Sequence, residues 1–346
     1  MGAIGEREEL PHEPGSDLQW SESYAFRLYD PRASFGGSAR LDVRPNEGAM
    51  EVELHFFLPD GGFVAARHVK PESRNASRLE VGGVELEALE PGRRWRIAYD
   101  GPSHSLASAR DAGKPDAWRA SRIERLTVDL EFEALHPAAP GGEASALVLA
   151  APTSASDSPI GRDPAGAFEQ AGRWSGVVWV SGDEHRIAAH GQRERWWGVL
   201  DWQAPRLRRR FGAAFGDDCA ILISELRSDG AERQGGWIAR DGRIVEIRRI
   251  AVAAGVDGGP TGPGADAAAP LPERFWLRLT DADGRDHEIA GEVIDVAPTP
   301  RARNGRVSLL SEAVARFEYD GRSGWGFAEA LAPLAGAAPS ARRPPG

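Results

Sequence analysis

The thirteen residues from His190 to Trp202 hold one histidine, three tryptophans, two arginines and two carboxylates. Side chains alternate between the faces of an extended strand, so Glu194, Trp196 and Gly198 share one face and Arg193, Arg195, Trp197 and Val199 the other. A carboxyl group beside an indole on an apolar wall has the makings of a general acid. Burial raises the carboxyl pKa toward neutrality, and the ring steadies a developing carbocation. The chemistry would be protonation of a double bond, followed by hydration, dehydration or cyclisation. Glu194 is the first catalytic candidate, with Asp201 and His190 beside it. Trp196, Trp197, Trp202, Arg193, Tyr24 and Trp179 are the candidates to wall a ligand. A competing reading pairs Glu194 with Arg193 or with an arginine of a neighbouring strand, and leaves the tryptophans as packing.

Other constellations exclude more than they support. His185 and His190 bracket a short strand without a third ligand, so no metal site is expected. No phosphate loop, dinucleotide fingerprint, metalloprotease histidine pair or nucleophile elbow occurs, which disfavours nucleotide chemistry and implies no cofactor. Gly324-Trp325-Gly326 reads as a late strand with a bulge. The net charge of −10 repels phosphate backbones, so nucleic acid is not an expected partner. The one basic run, Arg206 and Arg208 to Arg210, alternates with Leu207 and Phe211 and reads as an exposed strand. Cys219 is the only cysteine, which rules out an internal disulfide and fits a reducing compartment. The acidic N-terminus has no signal-peptide pattern, and no apolar run nears the roughly 18 residues of a membrane helix. These features point to a cytoplasmic chain without stable membrane insertion; they leave its oligomeric state open.

The elements that would position these residues are strands. Met50, Val52, Leu54, Phe56 and Leu58 alternate with Glu51, Glu53, His55 and Phe57, a period of two. Seven Asp-Gly pairs, starting at positions 60, 100, 229, 241, 257, 283 and 320, mark tight hairpins. No amphipathic helix of useful length competes. Strand patterns fill both halves and lapse between them, so the chain divides into a flexible N-terminus (1–16), a first barrel (17–136), a linker (137–167), a second barrel (168–331) and a disordered tail (332–346). A closed sheet of about eight strands leaves an interior sized for side chains or one small ligand.

A second cluster, with Tyr24, Phe26 and Leu28 on the face continued by Trp20 and Glu22, opens the first half and reads as packing. Together the clusters resemble a bacterial family of tandem lipocalin-like proteins related to carotenoid 1,2-hydratase (hydroxyneurosporene synthase) and the tocopherol-cyclase-like group. In the first half the resemblance rests on Trp20, Glu22 and Ser23, on Leu28-Tyr29-Asp30-Pro31, Phe35-Gly36-Gly37 and Arg44-Pro45-Asn46, and on Leu89 to Gly92 through Trp95 to Gly101. In the second half it rests on Phe168-Glu169-Gln170, Trp174 to Gly176, and Gly191-Gln192-Arg193 leading to Trp197-Gly198 and Asp201-Trp202.

The resemblance implies an all-β fold of two consecutive antiparallel lipocalin-like barrels. In the hydratase relatives it also implies cofactor-free protonation of an isoprenoid double bond by a carboxylic acid. The relatives carry an aspartate and then a histidine where this chain has Glu194 and Arg195. Glutamate keeps an acid, whereas arginine cannot shuttle a proton near neutral pH. The expected partner is therefore a hydrophobic small molecule (isoprenoid, sterol-like or fatty). A cofactor-independent hydratase or cyclase of the lyase class is the catalytic reading. A non-catalytic carrier is the rival, and a purely structural pair of barrels is a third reading.

Overall fold

A computed structural model describes residues 6–71, 79–140, 166–199, 205–228, 231–256, 259–260, 271–303 and 306–334. The chain is almost wholly strand. In order these are β1 (Trp20–Asp30), β2 (Phe35–Arg44), β3 (Ala49–Phe57), β4 (Phe63–Pro71), β5 (Leu79–Val81), β6 (Val84–Glu90), β7 (Arg94–Leu106), β8 (Arg122–Ala134), β9 (Ala139–Pro140) and β10 (Gly166–Val180). There follow β11 (Asp183–Val199), β12 (Pro205–Ala214), β13 (Cys219–Ser228), β14 (Ala231–Arg240), β15 (Arg243–Val256), β16 (Gly259–Pro260), β17 (Arg274–Asp281), β18 (Asp286–Arg303), β19 (Arg306–Tyr319) and β20 (Arg322–Pro333). The described helices are single turns: α1 (Glu6–Glu9), α2 (Pro115–Arg119) and two 3-10 segments at Pro45–Glu47 and Ala109–Gly113.

Turn chemistry sets the local order. Asp241-Gly242 and Asp320-Gly321 take positive φ at both positions, the geometry of a two-residue hairpin whose twist matches its strands. Asp60-Gly61 and Asp283-Gly284 also lie in turns. Asp100-Gly101 does not. It runs on inside β7, paired with Thr127 and Leu126, because the tyrosine two residues earlier lies over Gly101, where a Cβ would come 2.5 Å from the Tyr99 hydroxyl. The pairs at 229 and 257 lie outside the described residues.

Pairing closes two antiparallel rings. The first runs β1-β2-β3-β4-β7-β8-β10-β11 and returns to β1, with β5 and β6 beside β7 and β9 on β10. The second runs β12-β13-β14-β15-β17-β18-β19-β20 and returns to β12. The all-β, two-barrel reading thus stands, but residue 168 does not open the second barrel: β10 and β11 complete the first, β10 pairing with β8 and β11 with β1. The physical reason is that strand partners are chosen across the chain, and the linker composition that suggested a boundary carries no pairing information. Residues 6–12 are likewise tied to the first barrel, by contacts described below, rather than loose.

Side chains occupy most of both lumens, leaving in the first a small gap among Phe26, Leu54, Phe56, Ile97 and Trp174. In the first, Phe26 meets Trp95, Phe132 and Trp174 at ring-centroid distances of 5.6, 6.4 and 5.8 Å. In the second, Phe275 lies 4.7 Å from Phe211 and 5.6 Å from Phe317. The expectation that each barrel encloses a guest meets packed aromatic cores instead.

The barrels dock side by side, with β1, β2 and β11 against β12, β19 and β20. Glycine permits the approach. A Cβ on Gly212 of the second barrel would lie 2.0 Å from the Gln192 side-chain oxygen of the first and 2.4 Å from the Phe327 ring. Gly212→Ala is expected to destabilise the protein by about 1–3 kcal/mol, read as a fall in the urea midpoint.

A buried ionic seam between the barrels

The outward faces of β1, β2 and β11 would meet water on an isolated barrel; here they meet another barrel. Arg27, Gln192 and Glu194 point out of the first ring and are buried against Arg208, Arg210 and Glu329 of the second. Their charges interlock. Arg27 donates to Glu329 at 2.6 Å and approaches Glu194 at 3.4 Å. Arg210 pairs with Glu194 and, at 2.9 Å, with Glu169. Arg208 reaches Glu329 at 3.0 Å, the Trp237 indole donates to Glu169 at 2.9 Å, and the Gln192 amide donates to the Ile221 carbonyl at 2.7 Å.

This network decides the state of Glu194. Burial raises its pKa, but the opposing charges of Arg210, Arg27 and Arg208 outweigh burial and hold the carboxyl below its usual range. Glu329 is depressed for the same reasons, burial opposing and Arg208 and Arg27 winning. Arg208, chiefly through desolvation, is pushed down to about 10. Glu194 is therefore an ionised carboxylate in a seam rather than a neutral acid in a lumen. Its partners are Arg27 of the neighbouring strand and Arg210 of the second barrel.

Two clefts open along the seam. One is narrow, walled by Leu28, Phe57, Val314, Trp325 and Phe327, and carries Arg27, His55, Gln192, Glu312 and Glu329. His55 is buried, and its Nδ1 faces the Glu312 carboxylate at 4.0 Å. The other cleft is wider and largely charged, lined by Arg40, Arg44, Arg67, Arg301, Asp42 and Glu53. Arg301 links them, pairing with Glu53 at 2.5 Å and approaching Glu312 at 3.9 Å.

The sequence candidates disperse. Trp196 faces the seam, packed on Leu226 with the Arg40 guanidinium 5.9 Å from its ring. Arg193 and Tyr24 face the mouth of the first barrel, Arg193 5.0 Å from the Phe168 ring. Trp197 stacks on His12 at 4.0 Å. Arg195 lies 4.0 Å over Tyr24 and pairs with Glu22. His190 pairs at 2.9 Å with the exposed Asp217 of the β12–β13 turn, at the solvent edge of the contact between the barrels, and Trp179 is half-buried near the β10–β11 hairpin. Asp201 and Trp202 lie outside the described residues.

Arg206 to Arg210 form no exposed strand: Arg208, Arg209 and Arg210 are buried at 4%, 3% and 0% exposure. Adjacent arginines on β12 face opposite sides, so Arg208 and Arg210 enter the seam while Arg209 pairs with Glu225 at 3.1 Å. His55, Glu312, Arg27 and Glu329 escaped sequence reading. Their only signal was charge inside otherwise apolar strands. Among the described residues no cluster of His, Cys, Asp or Glu is placed to hold a metal, and no helix is long and apolar enough to cross a membrane.

Residues 5–333 match a family described as a domain of unknown function, DUF7064. The chain belongs to that family. Its fold is shared with solved structures of low identity. A protein provisionally assigned as AttH, from Nitrosomonas europaea, superposes with a TM-score of 0.61 at 12% identity, covering 95% of this chain and 96% of that one. Kievitone hydratase from Nectria haematococca gives 0.57 at 11%, covering 95% and 93%. CghA gives 0.55 at 13%, covering 92% and 89%. No curated protein matches the sequence. At such identities the likeness establishes the fold alone.

Removing one partner of a buried ion pair strands the other, so Glu194→Gln should cost about 3–5 kcal/mol at neutral pH. Because the folded pKa lies below the unfolded value near 4.5, the stability Glu194 contributes is present above that value. It is lost as pH falls through the folded pKa. Urea midpoints measured from pH 6 downward should therefore fall more steeply in the wild type than in Glu194→Gln.

Proposed function

We propose that the DUF7064 chain takes a lipophilic small molecule bearing a polarised double bond into the narrower seam cleft, where His55, oriented by Glu312, moves a proton during hydration or dehydration. The observation that carries this reading is one buried histidine facing a carboxylate among Leu28, Phe57, Trp325 and Phe327. Hydrocarbon walls hold an apolar body, while a few polar groups orient its reactive end.

Imidazole exchanges protons near neutral pH, which an arginine-paired carboxylate does not. With Nδ1 turned to Glu312, Nε2 is the atom left to meet the guest. In hydration of a double bond conjugated with a carbonyl, neutral imidazole takes a proton from water as the water oxygen bonds to the β-carbon, the electron pair of the double bond moves to the carbonyl oxygen as an enolate, and the imidazolium returns the proton to the α-carbon. Conjugation is required because the carbonyl must accept that electron pair. On this reading Glu194 acts by holding the barrels together, and His190 is engaged by Asp217. The resemblance to hydratase relatives and the kievitone hydratase fold support a hydro-lyase. The arginine pairing of Glu194 and Glu329 favours the rival, a carrier without turnover.

Conjugated lipophilic ketones offered in heavy-oxygen water separate the two. An enzyme incorporates the label, and His55→Asn lowers the rate by about 100-fold or more with affinity retained. Binding of such a ketone without label in any product would leave the carrier.

A further inference from the structure

We infer that the mouth of the first barrel is a carboxylate-binding site occupied by the chain's own Glu9, and that a free monocarboxylate with a hydrocarbon tail takes its place. The inference is independent of the seam. Arg193 lies almost fully buried at that mouth, its guanidinium 5.7 Å from the Trp95 ring and 5.0 Å from Phe168. Its Nε donates to Gln170 at 2.7 Å, which fixes the plane of the fork, and its two terminal nitrogens donate to the Glu9 carboxylate at 3.0 and 2.5 Å. The Gly92 backbone N–H adds a bond of 2.8 Å to the same carboxylate. A paired guanidinium fork between aromatic rings, completed by a backbone N–H, is the recognition geometry of a carboxylate. Every donor comes from the barrel; Glu9 contributes only the anion.

The segment carrying Glu9 is held by little else that is apolar. Arg7 and Leu10 are exposed, Leu10 at 57%. The other ties are polar or planar: the Tyr24 hydroxyl to the Glu9 carbonyl at 3.3 Å, Arg195 to the Leu10 carbonyl at 3.1 Å, the His12 backbone N–H to the Glu22 carboxylate at 2.5 Å, and His12 against Trp197. A free acid reproduces the Glu9 contacts. Its tail can lie on Tyr24, Trp95 and Phe168, rings that the segment now helps to cover. The length of that tail is what would distinguish a fatty or aromatic acid from a simple anion.

The test uses the full chain and sodium hexanoate as probe, followed by thermal unfolding. Glu9→Ala should lower Tm by a few degrees, because Arg193 is left without its counter-charge. Hexanoate should restore most of the loss in a saturable manner, where equal sodium chloride does not. The wild type should need on the order of tenfold more hexanoate for a comparable response, since Glu9 competes. Adding Arg193→Gln to Glu9→Ala should abolish the hexanoate effect. If Glu9→Ala does not fold, Glu9→Gln removes the charge at nearly constant shape and is read in the same way. A hexanoate response no larger than that of chloride, or one that survives Arg193→Gln, overturns the site.

Discussion

Arg210 and Glu194 come from different barrels, and once the barrels meet neither is accessible to water. Moving a charge out of water costs several kcal/mol, and only a well-placed partner offsets it. Arg27 bridges Glu194 and Glu329, Arg210 bridges Glu194 and Glu169, and Arg208 completes Glu329. A sliding of one barrel along the other would break several of these pairs together. The layer therefore specifies the register of docking more than it adds to net stability. Apolar contacts supply much of the rest, notably Trp237, Leu222 and Phe327 against Ala171, and Tyr29 and Phe57 near Val314.

That constraint also moves the place where chemistry is expected. Eight strands close around a lumen that ordinary side chains can fill, and in both rings aromatic residues fill most of it. Other gaps lie where two convex walls meet and cannot match everywhere. The seam clefts are such gaps, and because both barrels line them, each barrel depends on the other to complete the polar environment around His55. Glu194, the residue whose type and neighbours promise acid chemistry, serves this arrangement as a fixed anion.

The DUF7064 fold is common to proteins of quite different description, consistent with function residing in a few side chains. Glu194 and Arg195, the two positions where the sequence resemblance leads one to expect aspartate and histidine, are both committed to ion pairs. Arg193 and Arg195 turn the mouth of the first barrel basic, and the N-terminal segment answers with Glu9 and with the carbonyl of Leu10. The same strand thus presents a cationic face to the lumen end and an anionic residue to the seam.

Much of this was legible one strand at a time. Alternation along Met50 to Phe57 set an apolar face against a polar one, Asp241-Gly242 and Asp320-Gly321 marked hairpins, and the parity of β11 separated Glu194 from Arg193 and Arg195 before any fold was known. These are properties of neighbouring residues, carried by dihedral preference and a two-residue period. Which ring β10 and β11 would close is settled by β1, more than a hundred positions away, and what lies against the outer face of β11 is settled by how the second barrel docks. An arginine-rich strand such as β12 reads as exposed because the outer wall of a barrel normally meets water. Only docking against a second barrel of matching charge buries it, and that match exists in three dimensions rather than along the chain.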